Sequence, residues 1–123
     1  MEDKTLAKIV SSLKKYDSVV AVYLFGSHAR GRAGPMSDTD LAVFLHPYYR
    51  NTALELGSYS SPYVDIVIFN EAPPYLKFEI MRDGKPLYVR DKNKLEHMLF
   101  MAMKEYHDYV PFYERQGLLQ VKS

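Results

Sequence analysis

Apolar residues recur along this chain at two different periods, and the switches between them mark out its elements. Residues 2–16 place Leu6, Ile9, Val10 and Leu13 on one face at helical spacing, with a lysine-rich, solvated face opposite. Asp17-Ser18 breaks that helix. Residues 19–25 (VVAVYLF) and 41–45 (LAVFL) are unbroken apolar runs with the β-branched and aromatic content of buried strands. His46-Pro47 ends the second run, because proline cannot donate to a strand ladder. Residues 48–56 suggest a short helix that stops near Gly57. Ser60-Ser61-Pro62 then opens a third strand over residues 63–69 (YVDIVIF). Pro73-Pro74 starts a helix where proline is tolerated, and Asp83-Gly84 supplies its stop. Residues 85–89 read as a short strand or an extended arm.

The last helix begins near Lys94, with Asp91 or Asn93 as its cap. Leu95, Leu99, Ala102, Tyr106 and Val110 form one apolar stripe, but Met98, Phe100, Met101 and Met103 fall well outside it. A helix apolar nearly all round is either sandwiched within its domain or meets another protein on one face. Methionine-rich surfaces adapt to partners, which draws attention to the second option. Pro111 is expected to kink or end this helix. The expected organisation is a single domain over residues 1–115 with a flexible tail over 116–123. Its class is α+β, a mixed sheet with helices packed mainly on one face.

Composition narrows the function classes. A length of 123 residues suits one domain, and 47% apolar with 25% charged residues is the balance of a globular protein rather than a disordered one. The formal net charge is only +1, without the basic excess of a dedicated nucleic-acid binder. There is no cysteine, which excludes disulfides, thiolate metal sites and cysteine nucleophiles. That fits a reducing cytoplasm, as does the lack of an N-terminal apolar signal segment. No apolar run approaches a membrane span in length.

The candidate chemistry is concentrated between the first two strands, in the stretch FGSHARGRAGPMSDTDL. Asp38 and Asp40 stand two apart on an extended chain, so they project together. Carboxylates crowded in this way call for a cation between them, and Mg²⁺ is the simplest candidate, a hard ion that prefers oxygen ligands and retains waters or phosphates. Gly26 lets backbone approach an anion closely, and Ser27 offers a hydroxyl and an N–H to a phosphate. Arg30 and Arg32 could add guanidinium groups to those phosphates or could simply be solvated, and Ser37 more naturally shapes the turn than touches substrate. Asp65 is a lone charge in an otherwise apolar strand. A buried carboxylate there would need a partner or a metal, whereas a solvent-facing position would need neither. His46, His97 and His107 lack metal-ligand spacing, and the eleven tyrosines could pack or could stack a nucleobase.

The run Gly26-Ser27-His28-Ala29-Arg30-Gly31 followed by Ser37-Asp38-Thr39-Asp40-Leu41 resembles the signature of the DNA polymerase β-type nucleotidyltransferase superfamily. The chain's small size resembles the minimal nucleotidyltransferases within it, which are encoded beside a HEPN-type ribonuclease toxin. The resemblance implies that Asp38, Asp40 and Asp65 are the catalytic and metal-binding carboxylates, holding one or two Mg²⁺ ions. It also implies a phosphate cradle at Gly26 and Ser27, and ATP as the nucleotide donor. The implied function is an antitoxin that transfers AMP to a tyrosine of the partner HEPN ribonuclease. Two other functions stay open. One is a binding protein that neutralises its partner by occlusion. The other is a small-molecule adenylyltransferase of the aminoglycoside-modifying type, although such relatives add a further domain for the acceptor.

Overall fold

The computed structural model of the chain describes residues 3–26 and 39–117. Helix α1 (Asp3–Leu13) leads into strand β1 (Val19–Phe25), and strand β2 (Thr39–Leu45) follows. Helix α2 (Arg50–Gly57), strand β3 (Val64–Ile68), helix α3 (Pro74–Asp83), strand β4 (Lys85–Val89) and helix α4 (Lys92–Arg115) complete the order. A 3-10 turn over Phe69–Glu71 joins β3 to α3. The four strands form one mixed sheet in the order β3-β2-β1-β4, with β2 and β3 parallel and the other two pairs antiparallel. The α+β class and the mixed sheet are those expected from the sequence.

Helices cover both faces of this sheet, not mainly one. Leu41, Val43 and Leu45 of β2 meet Val10 and Leu13 of α1 and Ala53 and Leu56 of α2 on one side. On the other, Ala42 and Phe44 pack with Ile80 of α3 and with Leu95 and Ala102 of α4. The reason lies in the strands themselves: β1 and β2 are apolar at successive positions, so both faces must be kept from water. In β1 the pairing with β2 slips between Val19 and Ala21, leaving Val20 as an extra residue. That bulge lets Val19 and Val22 share the α1 side while Val20, Ala21, Tyr23 and Phe25 face α3 and α4. Phe44 anchors the second layer, fully buried, stacked on Phe69 at 4.1 Å and tilted against Tyr23 at 4.9 Å between ring centroids.

Asn70 closes the sheet at the end of β2. Its side-chain amide donates to the Leu45 carbonyl at 2.8 Å, and its side-chain oxygen accepts from the Leu45 N–H at 3.0 Å. Arg90, just beyond β4, ties that edge to α1, donating to Asp17 and to the Lys14 carbonyl while its backbone N–H bonds the Val20 carbonyl. Asp91 is the cap of α4, accepting from the Lys94 N–H at 3.0 Å.

Of the two outcomes expected at Pro111, a kink or an end, the end does not occur: helix α4 runs on to Arg115. Proline costs the helix one donor and crowds the preceding turn. Tyr113, only 5% exposed and in ring contact with Tyr75 and Tyr106, holds the last turn in place. Helix α4 packs against α3 through a Phe78–Tyr106 stack (4.2 Å) and a Lys77–Glu105 ion pair (3.2 Å). Its Leu95 and Ala102 are buried, yet Phe100, Met101 and Met103 stay in water, Phe100 at 66% exposure. The helix is therefore half core and half open apolar surface. Among the described residues no helix is long and apolar enough to cross a membrane.

Candidate active site

Three strands converge at one end of the sheet to set the site. β1 ends at Phe25, whose partner across the antiparallel pair is Asp40 of β2. Across the parallel pair, Asp40 is itself partnered by Asp65 of β3. Paired residues of neighbouring strands project from the same face, and adjacent strands lie about 4.8 Å apart. The two carboxylates are thus immediate neighbours, on the face that carries Ala42, Phe44 and Val67 towards α3 and α4. Asp40 is half-buried, and Asp65 is exposed because β3 is an edge strand. Water hydrates Asp65 there, so the cost of a buried charge that its apolar neighbours suggested does not arise.

Gly26 follows β1 with φ +80°, a backbone conformation that side chains rarely tolerate. Space forbids a side chain as well. A Cβ at this position would lie 2.3 Å from Asp40 Oδ2 and 3.3 Å from its Cγ. The sequence assigned Gly26 to close approach of a phosphate; the nearest group it admits is the Asp40 carboxylate, laid directly against the turn.

The start of β2 is fixed by a backbone bond from the Thr39 N–H to the Tyr63 carbonyl at 2.9 Å, with Thr39 only 2% exposed. Tyr63 itself is 59% exposed, immediately ahead of the Asp65 strand. The sequence treated the tyrosines as a group and did not separate this one. The signal is its position, two residues before Asp65 and next to Pro62 at the turn that opens the strand. Of the other candidates, Ser27, Arg30, Arg32, Ser37 and Asp38 lie outside the described residues.

Among the described residues no group of three metal-ligating side chains is gathered. Asp40 and Asp65 supply two, both hard oxygen donors on adjacent strands and one of them open to water. That donor chemistry fits a hard cation whose remaining positions go to water or phosphate oxygens. His46, His97 and His107 are exposed and stand apart from this end of the sheet. At the other end of β3, Tyr48 and Arg50 both donate to Glu71, and the Tyr48 bond, above all, holds that carboxyl below its ordinary value. This triad fastens α2 to the turn after β3 and leaves the carboxylate site untouched.

Known proteins resemble this chain in sequence and in fold. A protein of Methanocaldococcus jannaschii, provisionally named a protein adenylyltransferase, is 38% identical over 80 residues, 64% of this chain and 63% of its own length. The match therefore spans less than two thirds of that relative. A crystal structure described as a toxin-antitoxin with AMP-PNP superposes with a TM-score of 0.73 at 22% identity, over 94% of both chains. A second structure, the tri-AMPylated HEPN toxin of Shewanella oneidensis in complex with its MNT antitoxin, gives 0.69 at 23% identity, again over 94% of both chains. At such identities these structures show the fold. The family described as "Polymerase beta, Nucleotidyltransferase" matches residues 7–93, which hold β1, β2, β3 and both described carboxylates. By that match, the chain belongs to the polymerase β-type nucleotidyltransferase family.

Proposed function

We propose that this chain is a Mg²⁺-dependent protein adenylyltransferase that acts as an antitoxin, moving AMP from ATP to a tyrosine of a partner HEPN ribonuclease. The observation that carries the reading is the pairing of Asp40 with Asp65 on adjacent strands, with the Gly26 turn laid against Asp40. The similar structures add support: one holds AMP-PNP, and another contains a HEPN toxin bearing AMP groups. A cytoplasmic location agrees with a chain that has no cysteine.

Asp38, Asp40 and Asp65 would hold the metal. When bound, Mg²⁺ would neutralise charge on the triphosphate and lower the pKa of an attacking hydroxyl. Gly26 and Ser27 would receive the triphosphate tail, with Arg30, Arg32 and Ser37 as further candidates along the same turn. Asp65, on the open flank, would face the acceptor hydroxyl and take its proton. The tyrosyl oxygen bonds to the α-phosphorus as the bond to the β-phosphate oxygen breaks. Pyrophosphate leaves, and an O-adenylyl tyrosine remains.

A second reading has its own observation. Phe100, Met101 and Met103 leave an open apolar surface on α4, which suits neutralisation by occlusion without catalysis. One experiment separates the two. Label transfer from each α-³²P nucleoside triphosphate is measured with Mg²⁺, for the protein alone and with the product of its neighbouring gene. The adenylyltransferase reading expects covalent label on the partner from ATP, lost in Asp38→Ala and Asp65→Asn. Absence of label with every nucleotide, while Asp38→Ala still blocks the ribonuclease, would establish occlusion instead.

A further inference from the structure

Across the sheet, the Gly26 turn belongs to β1 on one side of Asp40, and Asp65 belongs to β3 on the other. If the triphosphate lies along the Gly26 side, the acceptor must arrive over β3. That strand is the sheet edge, so a macromolecule can approach it. Tyr63 stands at that edge. Its carbonyl accepts from Thr39, and with Pro62 it forms the corner of the tight Ser61–Val64 turn that leads directly into the Asp65 strand. The backbone around it is tied down further: the Ser61 hydroxyl oxygen accepts from the Tyr63 N–H at 3.3 Å and from the Val64 N–H at 3.2 Å. Ser61 and Val64 also exchange both backbone bonds. The ring, in contrast, is 59% exposed and makes no stacking contact among the described residues.

A fixed backbone presenting a bare aromatic ring is a low-entropy surface for binding, because little freedom is lost when something covers it. We propose that Tyr63 is the acceptor platform: its ring packs against the aromatic acceptor side chain of the partner and orients the acceptor hydroxyl towards Asp65. This rests on the adenylyltransferase reading above. Tyr63 is a positioning residue here, so its removal acts on acceptor binding and leaves nucleotide binding alone.

The test compares wild type, Tyr63→Phe and Tyr63→Ala in label transfer from α-³²P ATP to the HEPN partner. KM is measured for the partner at saturating ATP and for ATP at saturating partner. Urea midpoints confirm that both exposed-site variants fold. An aromatic stack supports a roughly 3- to 10-fold rise in partner KM for Tyr63→Ala. ATP KM should stay unchanged, and Tyr63→Phe should match wild type. Unchanged partner KM in Tyr63→Ala, a rise in ATP KM instead, or a Tyr63→Phe variant as impaired as Tyr63→Ala would each overturn the platform while leaving the transferase intact. A wild-type protein that labels nothing overturns both.

Discussion

Gly26→Ala is the substitution with the most consequences, because two independent costs fall on one atom. The residue adopts φ +80°, where an L side chain costs about 1–2 kcal/mol. Its new Cβ would also sit 2.3 Å from Asp40 Oδ2, far inside any real contact. Asp40 is neighbour to both the turn and Asp65, so the carboxylate must swing out of line or the turn must back away. Either adjustment moves a catalytic candidate by about 1 Å, and a displacement of that size can cost about 100-fold in rate. The strain of about 1–2 kcal/mol and the crowding of about 1–3 kcal/mol fall against about 5–15 kcal/mol for an ordinary domain, so the urea midpoint is what separates the rate loss from unfolding. Gly57→Ala provides the contrast. Nothing lies within 4 Å of a Cβ there, and the residue ends α2, so alanine should be neutral or stabilising by up to about 1 kcal/mol. The assay is label transfer at 25 °C beside urea denaturation of both variants. Gly26→Ala with wild-type transfer and an unchanged urea midpoint would refute the account of why glycine stands there.

Two further outcomes follow from the packing and the charges. Phe44→Ala removes the ring stacked on Phe69 and should cost about 3–5 kcal/mol, read as a lower urea midpoint with an unchanged slope. Glu71→Gln should lower stability slightly at pH 7, and the difference from wild type should vanish on acidification. The sign follows from Glu71's depressed folded pKa: its contribution is present above the ordinary value of 4.5 and is lost as pH falls through the lower folded value. A melting series from pH 7 to pH 3 reads this, and a difference that grows on acidification would contradict the Tyr48 and Arg50 bonds as its cause.

Much of this protein could be read directly from its residues, and the limits have physical causes. Periodicity set the helices and strands, because burial repeats every two residues in a strand and about every 3.6 in a helix. The strands of residues 19–25 and 85–89 are found with the same limits, and Asp91 is the cap of α4. The motif and the lone charge of Asp65 singled out the candidate site, although an edge position open to water also accounts for a charge in that strand. Local sequence left open whether Pro111 ends the last helix, because a helix end depends on what its last turn packs against, and Tyr113 finds Tyr75 on α3. It also expected helices mainly on one face, although two-sided apolar strands are covered on both. Strand order and register were decided only in three dimensions. They set Asp65 beside Asp40, turned the Asp40 carboxylate onto Gly26, and left Tyr63 bare at the edge. Those are distances between residues far apart in the chain, and only the pairing of β1, β2 and β3 determines them.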